Sequence, residues 1–176
     1  MSFIQFAAYC QQVEAHLRIR YRIEVVTRDI PDPLTGDLDG QRIYIDYALT
    51  AEQRLFLLAH LFGHTVQWNV EPGTFDIGRQ YKPPVDQTLF PEILAYEEEA
   101  ACYGLALLHE AGIVDLDEWF SAYSECDQGY LIHFYRSGEK GDFRSLWPKE
   151  PVLLQPKRIP PFQLSLRSLR QDGVVI

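Results

Sequence analysis

His60 and His64 lie four residues apart in the apolar segment Leu57–His64, and they are the residues of this chain best suited to metal chemistry. On a helix, side chains four positions apart share one face, so two imidazoles can reach the same ion. Zinc sites are commonly built from such neutral histidine nitrogens. The pair therefore predicts a metal site. The alternative is two buried polar side chains whose hydrogen bonds are satisfied by neighbouring protein groups.

A zinc site needs a third protein ligand, and the acidic run Glu97–Glu99 offers the obvious donors. Most of such a run is expected on a solvated helix face. We expect Glu99 to be the exception, because the small residues around it would let two helices approach closely; these are Ala100, Ala101 and Gly104. The predicted metal ligands are His60, His64 and Glu99.

The position after His60 is Leu61, where the HExxH motif of zinc peptidases has the glutamate that acts as general base. General acid–base help is worth ~10²–10⁴ in rate, and a leucine side chain cannot supply it. No catalytic residue is therefore predicted at this position. A substitute base would have to be another carboxylate, and the candidates are Glu97, Glu98, Asp76 and Asp86.

The histidine pair is predicted to lie on a long central helix. Thr50 and Gln53 form a capping-box pattern at its start, and the apolar periodicity ends near Trp68. The segment Asn69–Leu89 follows, and its prolines and glycines predict a long loop that would form a rim or lid over the site. The other predicted helices are Phe3–Leu17, Glu92–Glu110 with Pro91 in its first turn, Leu116–Cys126 and Gln128–Arg136.

Two segments read as strands, Arg20–Thr27 and Arg42–Tyr47, and Asp39-Gly40 before the second is a tight-turn signal. Leu34–Leu38 is too short to assign. The predicted fold class is α+β, with a small antiparallel sheet packed by helices. The metal site would lie between the histidine helix and the helix of the acidic run.

The chain becomes irregular after Gly138, so residues 1–140 are predicted to form the folded domain and residues 141–176 a proline-rich tail. From Pro148 onward the tail has five basic and two acidic residues, whereas the chain as a whole carries a net charge of −9. The tail could therefore lie on its own acidic body or on an acidic partner.

Composition excludes several classes of protein. The excess of acidic over basic residues disfavours direct nucleic-acid binding. No apolar run approaches the ~20 residues that cross a bilayer, and Met1–Arg20 lacks the pattern of a signal peptide. Three widely spaced cysteines fit a reducing compartment, so we expect a cytoplasmic protein.

Two motifs in the right order resemble the ImmA/IrrE family of metallopeptidases. The segment Ile43–Asp46 followed by Gln53–His64 is similar to the family's strand and its helix reading roughly QRFTLAHELGH. Downstream, Glu99–Leu108 is similar to the family's EANRFAAELL, although Ala101 stands where asparagine is common. The resemblance covers about Arg20–Leu108. It implies a zincin-like minimal metallopeptidase domain with zinc held by His60, His64 and Glu99.

The resemblance implies cleavage of a regulatory protein, but Leu61 replaces the family's glutamate. The favoured hypothesis is therefore a metallopeptidase-like protein that keeps its zinc site, has weak or no activity, and binds a protein or peptide partner. One alternative is an active zinc endopeptidase with a substitute base. The other is a metal-free interaction module that uses the cleft and the tail.

Overall fold

The computed structural model describes residues 3–31, 34–71, 73–80, 84–167 and 174–175. The fold is α+β, as predicted. In chain order its elements are α1 (Phe3–His16), β1 (Glu24–Arg28), β2 (Leu34–Leu38), β3 (Arg42–Asp46), α2 (Ala51–Val70), α3 (Thr74–Gln80), α4 (Phe90–Glu110), α5 (Asp117–Ser137) and β4 (Val174–Val175). Short helical turns cover Leu17–Tyr21, Gln87–Leu89 and Phe143–Leu146.

The strands form one mixed sheet in the order β1–β3–β2–β4. β2 and β3 are antiparallel across the predicted Asp39-Gly40 turn, but β1 runs parallel to β3, with Val25 opposite Ile43. The prediction of a wholly antiparallel sheet is therefore wrong. β1 and β2 run in opposite directions, but they are not neighbours in the sheet. β3 lies between them and pairs with both. β3 is buried on both faces, as expected of a central strand.

Helix α2 is the centre of the hydrophobic core, and it is buried from Leu55 to Trp68. Its predicted start is confirmed, because the Thr50 side chain accepts from the Gln53 amide and the Gln53 side chain accepts from the Thr50 amide. This reciprocal capping satisfies two amide groups that a helix N-terminus leaves without partners. The helix therefore begins at a fixed residue.

Three local predictions differ from the structure. The chain from Leu17 to Tyr21 continues α1 as a wider turn, which ends at Arg22 in a left-handed conformation, so β1 begins later than predicted. The segment predicted as a loop over Asn69–Leu89 contains α3, although residues 72 and 81–83 lie outside the described ranges. The two predicted C-terminal helices are one, α5. This helix continues through Gly129, and that glycine faces Leu146.

The tail up to residue 167 is extended and lies on the body of the protein. Some of its apolar side chains pack on the core, and the Phe162 ring stacks on Tyr21 at 5.7 Å with an interplanar angle of 8°. Backbone amides of the tail donate to the body, from Lys157 to Cys102 O at 3.1 Å and from Arg167 to Asp39 O at 2.7 Å. The tail was predicted to lie either on the body of its own chain or on an acidic partner, and in the structure it contacts the body of its own chain.

No helix in the described ranges combines the length and the apolar character needed to cross a membrane.

Candidate metal centre

His60, His64 and Glu97 form a buried cluster whose ligand atoms all lie within 4.8 Å of one another. Glu97 Oε2 is 3.0 Å from His60 Nε2 and 3.2 Å from His64 Nε2, and the two Nε2 atoms are 3.0 Å apart. The two imidazole rings are perpendicular, with centroids 4.6 Å apart. This group of two imidazoles and one carboxylate could hold a metal ion, because its donor atoms converge on one point.

The third member is Glu97, and not the predicted Glu99. The two positions differ by about 200° around a helix of 3.6 residues per turn, so their side chains point to opposite sides of α4. Glu97 shares its face with Ala100 and Gly104, which are buried against α2, whereas Glu98 is exposed and Glu99 is partly exposed. The small residues Ala100 and Gly104 do lie where α4 approaches α2, and the acid beside the histidines is the one three residues before Ala100.

Two glycines explain how close these helices come. A Cβ added to Gly63 would lie 2.6 Å from the carbonyl carbon and 2.7 Å from the Cα of Ala100. A Cβ on Gly104 would lie 2.7 Å from Ala59 O. Real Cβ atoms do not make such contacts with backbone, so α2 and α4 touch backbone to backbone at both points. This contact brings the Glu97 carboxylate to the histidine pair.

Glu99 belongs to the surroundings of the cluster. Gln67 donates its amide hydrogens to Tyr96 O at 2.9 Å and to Glu99 Oε2 at 2.8 Å, which fixes the orientation of its side chain. The Gln67 Oε1 then lies 2.9 Å from His64 Nδ1 and can only accept. His64 therefore carries its proton on Nδ1, and its Nε2 lone pair faces the cluster. Lys157 of the tail pairs with the other oxygen of Glu99.

The electrostatic environment favours a neutral His60 and an ionised Glu97. Burial lowers the pKa of His60, and the charge of His64 acts in the same direction, whereas the hydrogen bond that His60 donates to Glu97 raises it. Burial alone would raise the pKa of Glu97, but the charge of His64 and hydrogen bonds with both imidazoles hold it well below its usual range. A neutral imidazole and an ionised carboxylate are the forms that bind metal ions.

Leu61 does not face the cluster. Its side chain is fully buried in the hydrophobic core. A Cβ on Gly36 of β2 would lie 2.9 Å from Leu61 Cδ1, so the leucine is packed against the sheet. Of the candidate substitute bases, Glu97 is itself a member of the cluster, whereas Glu98, Asp76 and Asp86 are exposed.

The cluster is closed to solvent, with His60 1%, His64 4% and Glu97 8% exposed. Phe56 stacks on His60 at 5.3 Å, and Tyr96 stacks on His64 at 4.5 Å. The Tyr96 hydroxyl accepts from Trp68 Nε1 at 2.7 Å, and Phe75 of α3 contacts the edge of Trp68 at 4.8 Å. Part of the segment predicted as a lid therefore lies over the residues that cover the site.

The remaining histidines are not part of this cluster. His109 contacts Asp117 at 2.7 Å, and His16 lies 3.5 Å from Glu110. His133 lies beside Gly141. In the described part of the chain, the group of His60, His64 and Glu97 is the one with the geometry of a metal site.

Comparison of the chain with models of protein families, with curated proteins and with solved structures found no match.

Proposed function

We propose that this protein binds zinc through His60, His64 and Glu97 in a zincin-like domain of the ImmA/IrrE type, and that its peptidase activity is weak or lost. The convergence of three donor atoms within 4.8 Å carries the proposal. Two imidazoles and one carboxylate are a common zinc donor set. The strand and helix motifs that resemble the ImmA/IrrE family support the same reading.

Several contacts fit the residues to this role. The Gln67 contact leaves the Nε2 of His64 free to bind, and zinc-ligating histidines generally make such a second contact with their other nitrogen. Burial lowers the pKa of His60, and the two imidazoles lower the pKa of Glu97, so both groups are in their metal-binding forms at neutral pH. When bound, zinc would act as a Lewis acid and would hold α2 to α4.

Two observations support weak or absent catalysis. The position of the family's general base is Leu61, which lies in the core against the sheet and has no acid–base group. The ligand cluster is also covered by Tyr96 and Phe56, so a peptide could reach it only after these side chains moved. In this proposal the metal stabilises the fold, and the segment 69–89 acts as the rim of a site that recognises rather than cleaves.

A protein or peptide is the partner that we propose. The apolar side chains of Val152 and Leu153 in the tail are 80% and 55% exposed, and we propose that this partner contacts them. The test is the recovery of a partner with wild-type protein and with a Val152→Ser, Leu153→Ser variant. Deleting the tail is a poorer test, because it also removes Phe162 from Tyr21. Recovery of the same amount of partner with both proteins would show that these two side chains do not contact it.

The experiment for the metal site is zinc analysis of protein purified without a histidine tag. We expect one zinc ion per chain in the wild-type protein and a large loss in His60→Ala. His109→Ala is the matched control, because His109 lies with Asp117 outside the cluster. A wild-type protein that binds no zinc would contradict the proposal and favour the metal-free interaction module. Chelator-sensitive cleavage of peptides that is lost in Glu97→Gln would favour the active endopeptidase.

A further inference from the structure

Asp127 on α5 is fully buried, and neither of its carboxylate oxygens has a hydrogen-bond partner. A buried polar group without a partner costs about 1–3 kcal/mol, and more when it is charged. Such groups are rare in folded proteins, and each calls for an explanation such as an ion or an ordered water molecule. Asp127 is therefore the least satisfied side chain in the described part of the interior.

Asp127 belongs to the same buried region as the candidate metal centre. Burial raises the pKa of Asp127 far above its usual value, and the negative charge of Glu97 adds to this effect. One turn earlier on α5, Tyr123 stacks on Phe56 at 4.1 Å, and Phe56 in turn stacks on His60. Helix α5 thus packs on the His60 side of the cluster. The Nδ1 atom of His60 is likewise buried without a partner.

The charge of the centre gives a reason for a second acid. A divalent ion with two neutral imidazoles and the single carboxylate of Glu97 would leave one net positive charge in a region closed to solvent. An uncompensated charge in such a region is costly. A second carboxylate would make the whole centre neutral. Asp127 is fully buried and has two oxygens without partners, so it can fill this role.

We propose that Asp127 is the second carboxylate of the metal centre, which neutralises the ion held by His60, His64 and Glu97. This inference rests on the proposed zinc site. It adds an outer carboxylate from α5 to the ligand group of α2 and α4, of which Asp127 is not itself a member. It also explains the retention of an unpartnered acid that weakens the fold when no metal is present.

The test uses Asp127→Asn and Asp127→Leu, whose side chains have the same number of heavy atoms as aspartate. Zinc affinity is measured by competition with a chelator, and thermal stability is measured in the zinc-free protein. We expect the variants to bind zinc about 10- to 100-fold more weakly, the usual loss when a group supporting a metal ligand is removed. We also expect the zinc-free variants to melt at a higher temperature than zinc-free wild-type protein, because a buried acid without partners has been removed.

Glu118→Gln is the matched control, because it removes one negative charge from an exposed position of the same helix. It should leave zinc affinity unchanged and lower the melting temperature only slightly, because Glu118 lies in the first turn of α5, where a negative charge is favourable. The inference is overturned if wild-type protein binds zinc and both Asp127 variants bind it equally tightly. It is also overturned if the variants lower the stability of the zinc-free protein, which would indicate a purely structural acid. A wild-type protein that takes up no zinc would overturn both the proposed function and this inference. Zinc uptake by the wild-type protein with equal affinity in the Asp127 variants would overturn this inference alone.

Discussion

The substitution Gly63→Ala tests the close contact between α2 and α4. The added Cβ would lie 2.6 Å from the carbonyl carbon of Ala100, and ordinary contacts begin at 3.4 Å. The carbonyl oxygen of Ala100 would lie closer still, so the two helices would have to separate by more than roughly 0.8 Å, since both partners are backbone. Overpacking of this kind costs ~3 kcal/mol, and the better helix propensity of alanine returns ~1 kcal/mol. We expect a net loss of about 2 kcal/mol in the free energy of unfolding.

The same separation should damage the metal site. Glu97 lies one turn before Ala100 on α4, so moving α4 away from α2 moves the carboxylate away from His60 and His64. Zinc sites tolerate errors of only about 0.2 Å in ligand distance. Gly63→Ala should therefore weaken zinc binding as well as stability, although residue 63 is not a ligand.

The measurements are urea denaturation of the zinc-free protein and a zinc titration. Gly73→Ala is the matched control, because a Cβ at Gly73 has nothing within 4 Å. Gly104→Ala should be intermediate, since its Cβ would lie 2.7 Å from Ala59 O and 3.0 Å from the end of the Phe120 ring. A Gly63→Ala protein as stable as the wild type, with unchanged zinc affinity, would refute the backbone contact.

Three further predictions concern single residues. Leu61→Glu should not restore proteolysis and should destabilise the protein by ~3–5 kcal/mol in denaturation, because it buries a charge without a partner, whereas Leu61→Met should cost under ~1.5 kcal/mol. Thr50→Ala should cost ~1 kcal/mol in the same assay through loss of the capping box; no change would exclude that role. The raised pKa of Asp127, caused by burial, means that the folded state keeps a proton that the unfolded state has lost. Zinc-free wild-type protein should therefore lose up to ~1.4 kcal/mol of stability per unit as pH rises above the ordinary value of 3.8, compared with Asp127→Asn. Parallel pH profiles for the two proteins would contradict this shift.

Local signals in the sequence were sufficient to predict α2 and its cap. The Thr50 capping box and the apolar periodicity depend on residues near one another in the chain, and the structure has both. The placement of His60 and His64 on one face follows from helix geometry alone. Their meeting with an acid of α4 was also predicted, because glycine and alanine indicate where helices approach.

Which of the three acids faces the histidines depends on how α4 is rotated about its own axis. Three consecutive acids offer three directions around the helix, and the face buried against α2 decides which one is inside. The stripe of Glu97, Ala100 and Gly104 at helical spacing carries this information. Counting back from Ala100 along that stripe, rather than taking the nearest acid, would have selected Glu97.

Contacts between distant residues explain the other differences. The parallel pairing of β1 with β3 depends on where β3 lies in the sheet, which neither strand encodes locally. Nothing near Asp127 in the sequence marks it as unusual, and a break was predicted between Cys126 and Gln128. Its burial depends on how α5 packs in the folded protein, which the sequence pattern does not predict.

The most direct test of the metal site is the zinc affinity of Glu97→Gln compared with that of Glu99→Gln. Both variants remove one negative charge from α4, but only Glu97 lies against His60 and His64, whereas Glu99 contacts Gln67 and Lys157. We expect Glu97→Gln to lose more than the ~10–100-fold that an outer partner contributes, and Glu99→Gln to stay within that range. Equal zinc affinity of Glu97→Gln and wild-type protein, or a larger loss in Glu99→Gln, would contradict the assignment of the site.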